Sequence, residues 1–160
     1  MSVQRAPDDA SAHVRVTYED VLEFAAADVW PFFDWRNLER MLPGGFFADV
    51  NYHSREPIPG ATRTVRLADG VGNGHPLREV LIDNDCEAMR LRYRIDDPAP
   101  MPVAAYSGEV SVEPIDSTRC RVRFESVCVP NGIDASTWRD LYRSMQRANL
   151  EFIAKTLQRI

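Results

Sequence analysis

The spacing of hydrophobic and polar positions changes along this chain, and each change predicts an element. Val14 to Phe24 is rich in β-branched and aromatic residues, which is typical of a strand. Residues 25–43 follow a helical pattern in which Asp28 can cap, Pro31 fits a first turn and Pro43 ends the segment. The pattern therefore predicts one strand followed by two short helices.

Beyond Gly44 and Gly45 the period becomes two, and turn residues separate six short runs. Runs this close in sequence are most simply joined as antiparallel hairpins. Their sequences are FFADVNYHSRE, ATRTVRLA, PLREVLIDN, MRLRYRI, YSGEVSVEP and RCRVRFESVCV. Together with the first strand they predict a seven-stranded antiparallel sheet.

A long helix is predicted from Asp134 to Ile160, because apolar residues recur there at helical spacing and charged residues occupy the other side. It is the only element long enough to cover the apolar face of the sheet. We predict an α+β fold of order β-α-α-β6-α, in which a curved sheet wraps the helix. We expect residues 12–160 to form this single domain and residues 1–11 to form a flexible arm. The covering face of the helix comprises Trp138, Leu141, Tyr142, Met145, Asn149, Phe152, Ile153, Thr156 and Leu157.

Composition excludes several classes of function. The formal net charge is −5 and no stretch is strongly basic, so no nucleic-acid partner is expected. The sequence has neither an apolar leader nor a run of about 18 apolar residues, which predicts a cytoplasmic protein without a membrane partner. Cys86, Cys120 and Cys128 lack a C-x-x-C spacing, and we expect reduced, mostly buried thiols. The chain is expected to be a monomer or a weak homodimer.

Motifs for metals and cofactors are missing from the sequence. His13, His53 and His75 are far apart and have no metal-ligand spacing. The run GVGNG at residues 70–74 is typical of a hairpin turn and lacks the strand-to-helix context of a dinucleotide site. We therefore expect no metal and no cofactor.

Glu79 is the first candidate for chemistry. It alternates with Leu77 and Leu81, so all three share one face of a strand, which we interpret as the core face. A carboxylate there must protonate, pair with an arginine, or bind water or a ligand. The alternative is that these three residues form the outward face and Glu79 is solvated.

Polar groups at the ends of apolar side chains are further candidates. Tyr93, Tyr106 and Tyr142 carry hydroxyls on large rings, and Asn149 places an amide among apolar helix neighbours. We interpret them as polar anchors in a mainly apolar cavity. Ordinary packing is the alternative for each tyrosine.

Several segments resemble one superfamily in their order and spacing. They are VWPFFDWRNLERMLP, GATRTVRLADG, REVLIDND, PMPVAAYSGEVSVEP, FESVCVP and NLEFI, and they extend over nearly the whole chain. They resemble the START-like or SRPBCC superfamily, which includes polyketide cyclase/dehydrase-type proteins, pollen-allergen-like proteins and plant abscisic-acid receptors. The resemblance implies the helix-grip fold, with a ligand cavity between the concave sheet and the C-terminal helix.

The abscisic-acid receptors are similar in strand detail, but two departures argue against their hormone as ligand. The strand FFADVNY has Ala48 or Asp49 where the receptors have a lysine, and Met101-Pro102-Val103 lacks their His and Arg. The resemblance implies ligand contacts from Glu79, Tyr93, Ile95, Tyr106, Glu125, Leu141, Met145 and Asn149.

Glu125 is a second candidate carboxylate with conflicting indications. Its alternation with Phe124 and Ser126 points it outward, whereas the resemblance places it inward. A β-bulge that shifts the phase by one residue would reconcile the two.

Three functions remain open. The first is a protein that binds a small hydrophobic or aromatic molecule in its cavity. The second is an enzyme of the cyclase, aromatase or hydratase kind, in which Glu79 or Glu125, with a pKa raised by burial, works with a tyrosine as catalytic acid and base. The third is a module that binds another protein through its loops, although residues 68–76 contain no aromatic anchor.

Overall fold

The computed structural model describes residues 13–42, 47–69 and 74–160. The predicted arm of residues 1–11 and most of the Gly-rich turn at residues 70–74 lie outside these ranges. The described residues contain one seven-stranded antiparallel sheet and a long C-terminal helix. The predicted α+β helix-grip fold is therefore confirmed.

The strands are β1 (Val14–Leu22), β2 (Phe47–Tyr52), β3 (Thr62–Leu67), β4 (Pro76–Asp85), β5 (Arg90–Ile95), β6 (Val103–Asp116) and β7 (Arg119–Pro130). Each strand from β2 to β7 pairs with its neighbour in sequence, and β1 pairs with β7, which gives the order β1-β7-β6-β5-β4-β3-β2. Few residues separate consecutive strands from β2 to β7 in the sequence, so the hairpin arrangement follows from their spacing.

Three short helical segments link β1 to β2. They are α1 (Ala26–Val29) and two 3₁₀ segments, Trp30–Phe32 and Trp35–Met41. The expectation that Asp28 caps a helix is wrong, because Asp28 lies within the first turn of α1 and Ala25 is the capping position. Asp34 is the capping side chain, since it accepts a hydrogen bond from the backbone N–H of Arg36 at 3.1 Å.

The C-terminal helix α2 (Ala135–Gln158) begins where Asp134 accepts a hydrogen bond from the N–H of Thr137 at 2.7 Å. Its fully buried positions recur every three or four residues, as an amphipathic helix requires. The predicted face is rotated by about one position from the observed one, because Leu141 is 39% exposed. The buried row is Trp138, Tyr142, Gln146, Leu150 and Ile153.

Strict alternation along β7 determines which side chains point inward. Cys120, Val122, Phe124, Ser126 and Cys128 are all buried, and the residues between them are more exposed. On β6 the register shifts between Ala104 and Ser107, where Ala105 has a φ of 50°. The extra residue allows Val103 and Tyr106 both to be buried although they are three positions apart.

Candidate functional site

Two small chambers lie between the concave face of the sheet, the 3₁₀ segments and α2. Their volumes are about 80 and 40 Å³. Phe47, Glu79, Tyr93 and Gln146 line both chambers and therefore lie between them. The other residues of the larger chamber are Phe32, Phe33, Leu38, Met41, Arg63, Leu91, Glu109, Val110, Phe124 and Tyr142, and those of the smaller are Leu77, Ile95, Met101, Tyr106 and Met145.

A buried ion pair forms part of the wall. The register of β3 and β4 places Arg63 opposite Glu79, and Arg63 Nε donates to Glu79 Oε1 at 2.7 Å. Their side chains are only 4% and 3% exposed. Arg63 Nη1 also donates to the carbonyl of Trp35 at 2.8 Å, and the guanidinium lies 4.1 Å from the centre of the Trp35 ring. Each buried charge is thus compensated, which is the condition under which a carboxylate is tolerated there.

Three tyrosines and a tryptophan form an aromatic cluster beside this pair. Ring centroids are 6.2 Å apart for Tyr93 and Tyr106, 6.4 Å for Tyr106 and Trp138, and 6.0 Å for Trp138 and Tyr142. Burial raises the pKa of Tyr93, Tyr106 and Tyr142 above the ordinary value of 10.0. These hydroxyls therefore stay protonated at neutral pH and can both donate and accept hydrogen bonds.

The amide that reaches the cavity is Gln146 rather than Asn149. Gln146 is 8% exposed and lines both chambers. Asn149 is partly buried, lines neither chamber, and donates from Nδ2 to Gln146 Oε1 at 2.9 Å. Asn149 therefore supports a cavity residue from the next turn of the helix.

The structure brings six of the sequence-predicted site residues to the chambers. They are Glu79, Tyr93, Ile95, Tyr106, Tyr142 and Met145. Leu141 and Asn149 lie on flanks of α2 that do not line either chamber.

Glu125 is also outside the cavity, on the opposite face of the sheet. Its neighbours Phe124 and Ser126 are buried, and β7 has no bulge between them. Glu125 forms ion pairs with Arg15 and Arg123, and the hydrogen bond from Arg15 lowers its pKa. The inward placement is wrong, since it needed a shift of phase that the strand does not have.

Arg63, Gln146, Phe33 and Phe124 are cavity residues that the sequence interpretation did not identify. Arg63 shares a strand face with Val65 and Leu67, so alternation alone indicated a buried arginine. Gln146 lies four residues after Tyr142, on the same helical row. The sequence therefore contained a signal for both residues, but the interpretation selected apolar side chains and neither residue is apolar.

Two buried polar atoms beside the aromatic cluster have no hydrogen-bond partner within the described part of the chain. They are Ser126 Oγ and Trp138 Nε1. Ser126 is 1% exposed and Trp138 is 0% exposed. Such atoms are uncommon in native interiors. Neither residue lines a chamber, so both atoms lie behind the chamber walls.

A curved seven-stranded antiparallel sheet against a long C-terminal helix defines the helix-grip class of fold. The chain belongs to the family described as polyketide cyclase / dehydrase and lipid transport, whose model matches residues 11–159. None of the functionally curated proteins matches this chain.

Several solved structures share the fold. An uncharacterised protein from Bacillus thuringiensis has a TM-score of 0.75 at 16% identity, over 89% of this chain and 98% of its own. Norcoclaurine synthase from Thalictrum flavum has a TM-score of 0.70 at 17% identity, over 98% and 93%. A protein from Thermobifida fusca has a TM-score of 0.69 at 26% identity, over 92% and 94%.

Two further observations concern the described residues alone. None of their helices is long and apolar enough to cross a membrane. They also contain no group of three or more His, Cys, Asp or Glu side chains arranged to hold a metal ion.

Proposed function

We propose that this protein binds a small, mainly apolar molecule with an aromatic ring and at least one hydrogen-bonding group in the two chambers. The observation that carries the proposal is the position of Glu79, Tyr93 and Gln146 at the junction of chambers whose remaining walls are mostly apolar. A few polar groups among apolar walls are the usual composition of a ligand pocket, since the apolar area supplies affinity and the polar groups orient the ligand.

The size of the chambers restricts the ligand. At about 80 and 40 Å³ they are far smaller than the roughly 300–1,000 Å³ of typical ligand pockets. An apolar cavity of about 150 Å³ is known to admit benzene. A single substituted ring therefore needs only modest widening, whereas a lipid chain would need a much larger rearrangement.

Methionine side chains make such widening feasible. Met41 lines the larger chamber, and Met101 and Met145 line the smaller. Methionine is unbranched and can change rotamer at low cost, so walls rich in it adapt to a ligand. We therefore propose that the two chambers merge around one ligand, with the ring beside Tyr93 and its polar group near Glu79 and Gln146.

The proposal is tested by displacement of an environment-sensitive apolar dye by single-ring phenols, with two matched variants. Gln146→Leu and Asn149→Leu both remove the hydrogen bond between these two side chains, but only Gln146 lines the chambers. We expect Gln146→Leu to change phenol affinity by about tenfold, roughly the effect of one hydrogen bond, and Asn149→Leu to change it much less.

Two results would oppose the proposal. One is that neither dye nor phenol binds the wild-type protein, and native mass spectrometry of protein from its own host detects no small molecule. The other is an equal effect of the two leucine variants, which would show that the helix hydrogen bond matters and the cavity wall does not.

A second candidate function is acid/base catalysis in the same cavity, on a phenolic or polyketide-like substrate. It is favoured by the presence of Glu79 and Tyr93 in the walls of the same two chambers. Burial raises the pKa of Tyr93, and the charge of Glu79 raises it further. In this reading Glu79 accepts a proton and a protonated tyrosine donates one. Turnover of phenolic or poly-β-keto compounds by the wild-type protein would distinguish this function from binding alone.

A further inference from the structure

The inner face of the sheet has one position without a side chain, at the centre of the cavity wall. Residues that lie opposite each other in register form a continuous row across five strands at this level: Leu81, Tyr93, Gly108, Ser126 and Val16. The other four positions carry side chains on this face of the sheet. Gly108 leaves a gap in the middle of the row.

The ring of Tyr93 occupies this gap. A Cβ added to Gly108 would lie 2.8 Å from both Cζ and Oη of Tyr93 and 2.9 Å from Cε1, whereas ordinary contacts begin at 3.4 Å. The three atoms belong to the far end of the ring and to its hydroxyl. Tyr93 therefore lies along the sheet over the Gly108 backbone instead of extending into the cavity, and only glycine permits this position.

The orientation of this ring has two consequences for the chambers. Tyr93 lines both of them, so a ring that lifts away from the sheet takes up space at their junction. The flat ring also lies beside Tyr106, with 6.2 Å between the two ring centroids, so its orientation sets where the Tyr93 hydroxyl lies relative to Tyr106. Volume and hydroxyl placement therefore depend on the same residue.

We propose that Gly108 is a specificity-determining position, which sets the depth of the ligand cavity by allowing the Tyr93 ring to lie flat on the sheet. The inference rests on the proposed binding function. A Cβ at position 108 forces the ring upward into the junction, because the strand backbone below it cannot move without breaking its pairing with β5 and β7. The altered cavity admits smaller rings and excludes larger ones.

The experiment combines Gly108→Ala with Tyr93→Leu and measures dissociation constants for phenol and 2-naphthol by dye displacement. We expect Gly108→Ala to weaken 2-naphthol binding by about tenfold or more while phenol changes by less than about threefold. In the Tyr93→Leu background, Gly108→Ala has no ring to displace. The ratio of the dissociation constants for 2-naphthol and phenol should therefore be the same with and without Gly108→Ala in that background. Equal loss for both ligands, or the same loss with and without the Tyr93 ring, would overturn the inference.

Thermal unfolding supplies a readout that needs no ligand. Gly108→Ala should lower the Tm by several degrees in the wild type and by much less in the Tyr93→Leu background, because overpacking requires the ring. If the wild-type protein binds neither probe but this coupling in Tm is found, the proposed function fails while the Gly108–Tyr93 arrangement stands. If Gly108→Ala lowers Tm equally in both backgrounds, the arrangement itself is refuted, whatever the probes do.

Discussion

Replacing Glu79 with Gln tests whether the buried ion pair is a structural unit as well as a cavity wall. Both side chains are almost fully buried, at 4% and 3% exposure, and their hydrogen bond is 2.7 Å long. Removing one partner of a buried pair costs about 3–5 kcal/mol, because the other charge remains without compensation. Gln keeps an oxygen near Arg63, and the Trp35 carbonyl still accepts from Arg63, so we expect a loss near 3 kcal/mol.

The assay is urea unfolding of Glu79→Gln, Arg63→Met and the double variant. The double variant removes both charges, and we expect it to be more stable than the sum of the two single losses predicts, by about 2 kcal/mol or more. Glu125→Gln is the matched control on the convex face. Its partner Arg15 is 66% exposed, so its loss should be below about 1 kcal/mol.

The same variants decide how any loss of activity is interpreted. Turnover that falls in Glu79→Gln only in proportion to the unfolded fraction would indicate that the residue is structural. Turnover that falls by about 10²–10⁴ in fully folded protein would support a catalytic role. The reasoning that the pair is coupled and buried would be refuted by two results together. Glu79→Gln would lower the free energy of unfolding by less than about 1 kcal/mol, and the losses of the two single variants would add up to that of the double variant.

Two further predictions concern groups outside the cavity. Burial raises the pKa of Asp34, but hydrogen bonds from Arg36 and Cys86 outweigh it and hold the pKa below 3.8. The stability that ionised Asp34 contributes is therefore present above pH 3.8 and is lost as the pH falls through the lower folded pKa. Asp34→Asn should lower the free energy of unfolding in urea, and this difference from the wild type should shrink between pH 7 and pH 2. A difference that stays constant with pH would contradict this. Burial raises the pKa of all three thiols, and that of Cys120 and Cys128 to about 11. Cys86 alone is exposed, so a thiol reagent at neutral pH should label Cys86 first, and the other two only when urea exposes them. Rapid labelling of either buried thiol in the native protein would contradict this.

Alternation along single strands was sufficient to predict most of the sheet. It placed Glu79 on the face of Leu77 and Leu81, and all three are buried. It also pointed Glu125 outward, as observed, whereas the resemblance pointed it inward. A period of two is enforced by the pleat itself, so it is more reliable at one position than an analogy between distant sequences.

The helix face could be predicted only approximately. The prediction selected apolar residues, so it included Leu141 and left out Gln146, which is 8% exposed. Burial follows the geometry of the row through Tyr142 and Leu150, and a polar residue on that row is buried with the rest. A polar residue at the centre of an apolar face is therefore a stronger indication of a site than one at its margin.

Contacts between strands could not be predicted from either strand alone. Arg63 and Glu79 meet because β3 and β4 pair in one register, and a shift by one residue would turn both side chains to the other face. The approach of Tyr93 to Gly108 depends on the register of β5 and β6 in the same way. Register is set by long-range pairing and packing, so the chemistry of the cavity becomes apparent only in the folded structure.

The balance of charge in the cavity restricts the proposed ligand further. Within the described ranges the charged residues of the chamber walls are Arg63, Glu79 and Glu109. Glu109 pairs with Arg92 on the adjacent strand, with 3.7 Å between Oε1 of Glu109 and Nε of Arg92. Arg63 and Glu79 neutralise each other, and burial keeps the tyrosine hydroxyls uncharged. A charged ligand would lose its hydration without gaining an unpaired counter-charge, which is costly in a buried site. A neutral ring whose hydroxyl donates to Glu79 and accepts from a tyrosine pairs with both groups without that cost, and a phenol is the simplest such molecule.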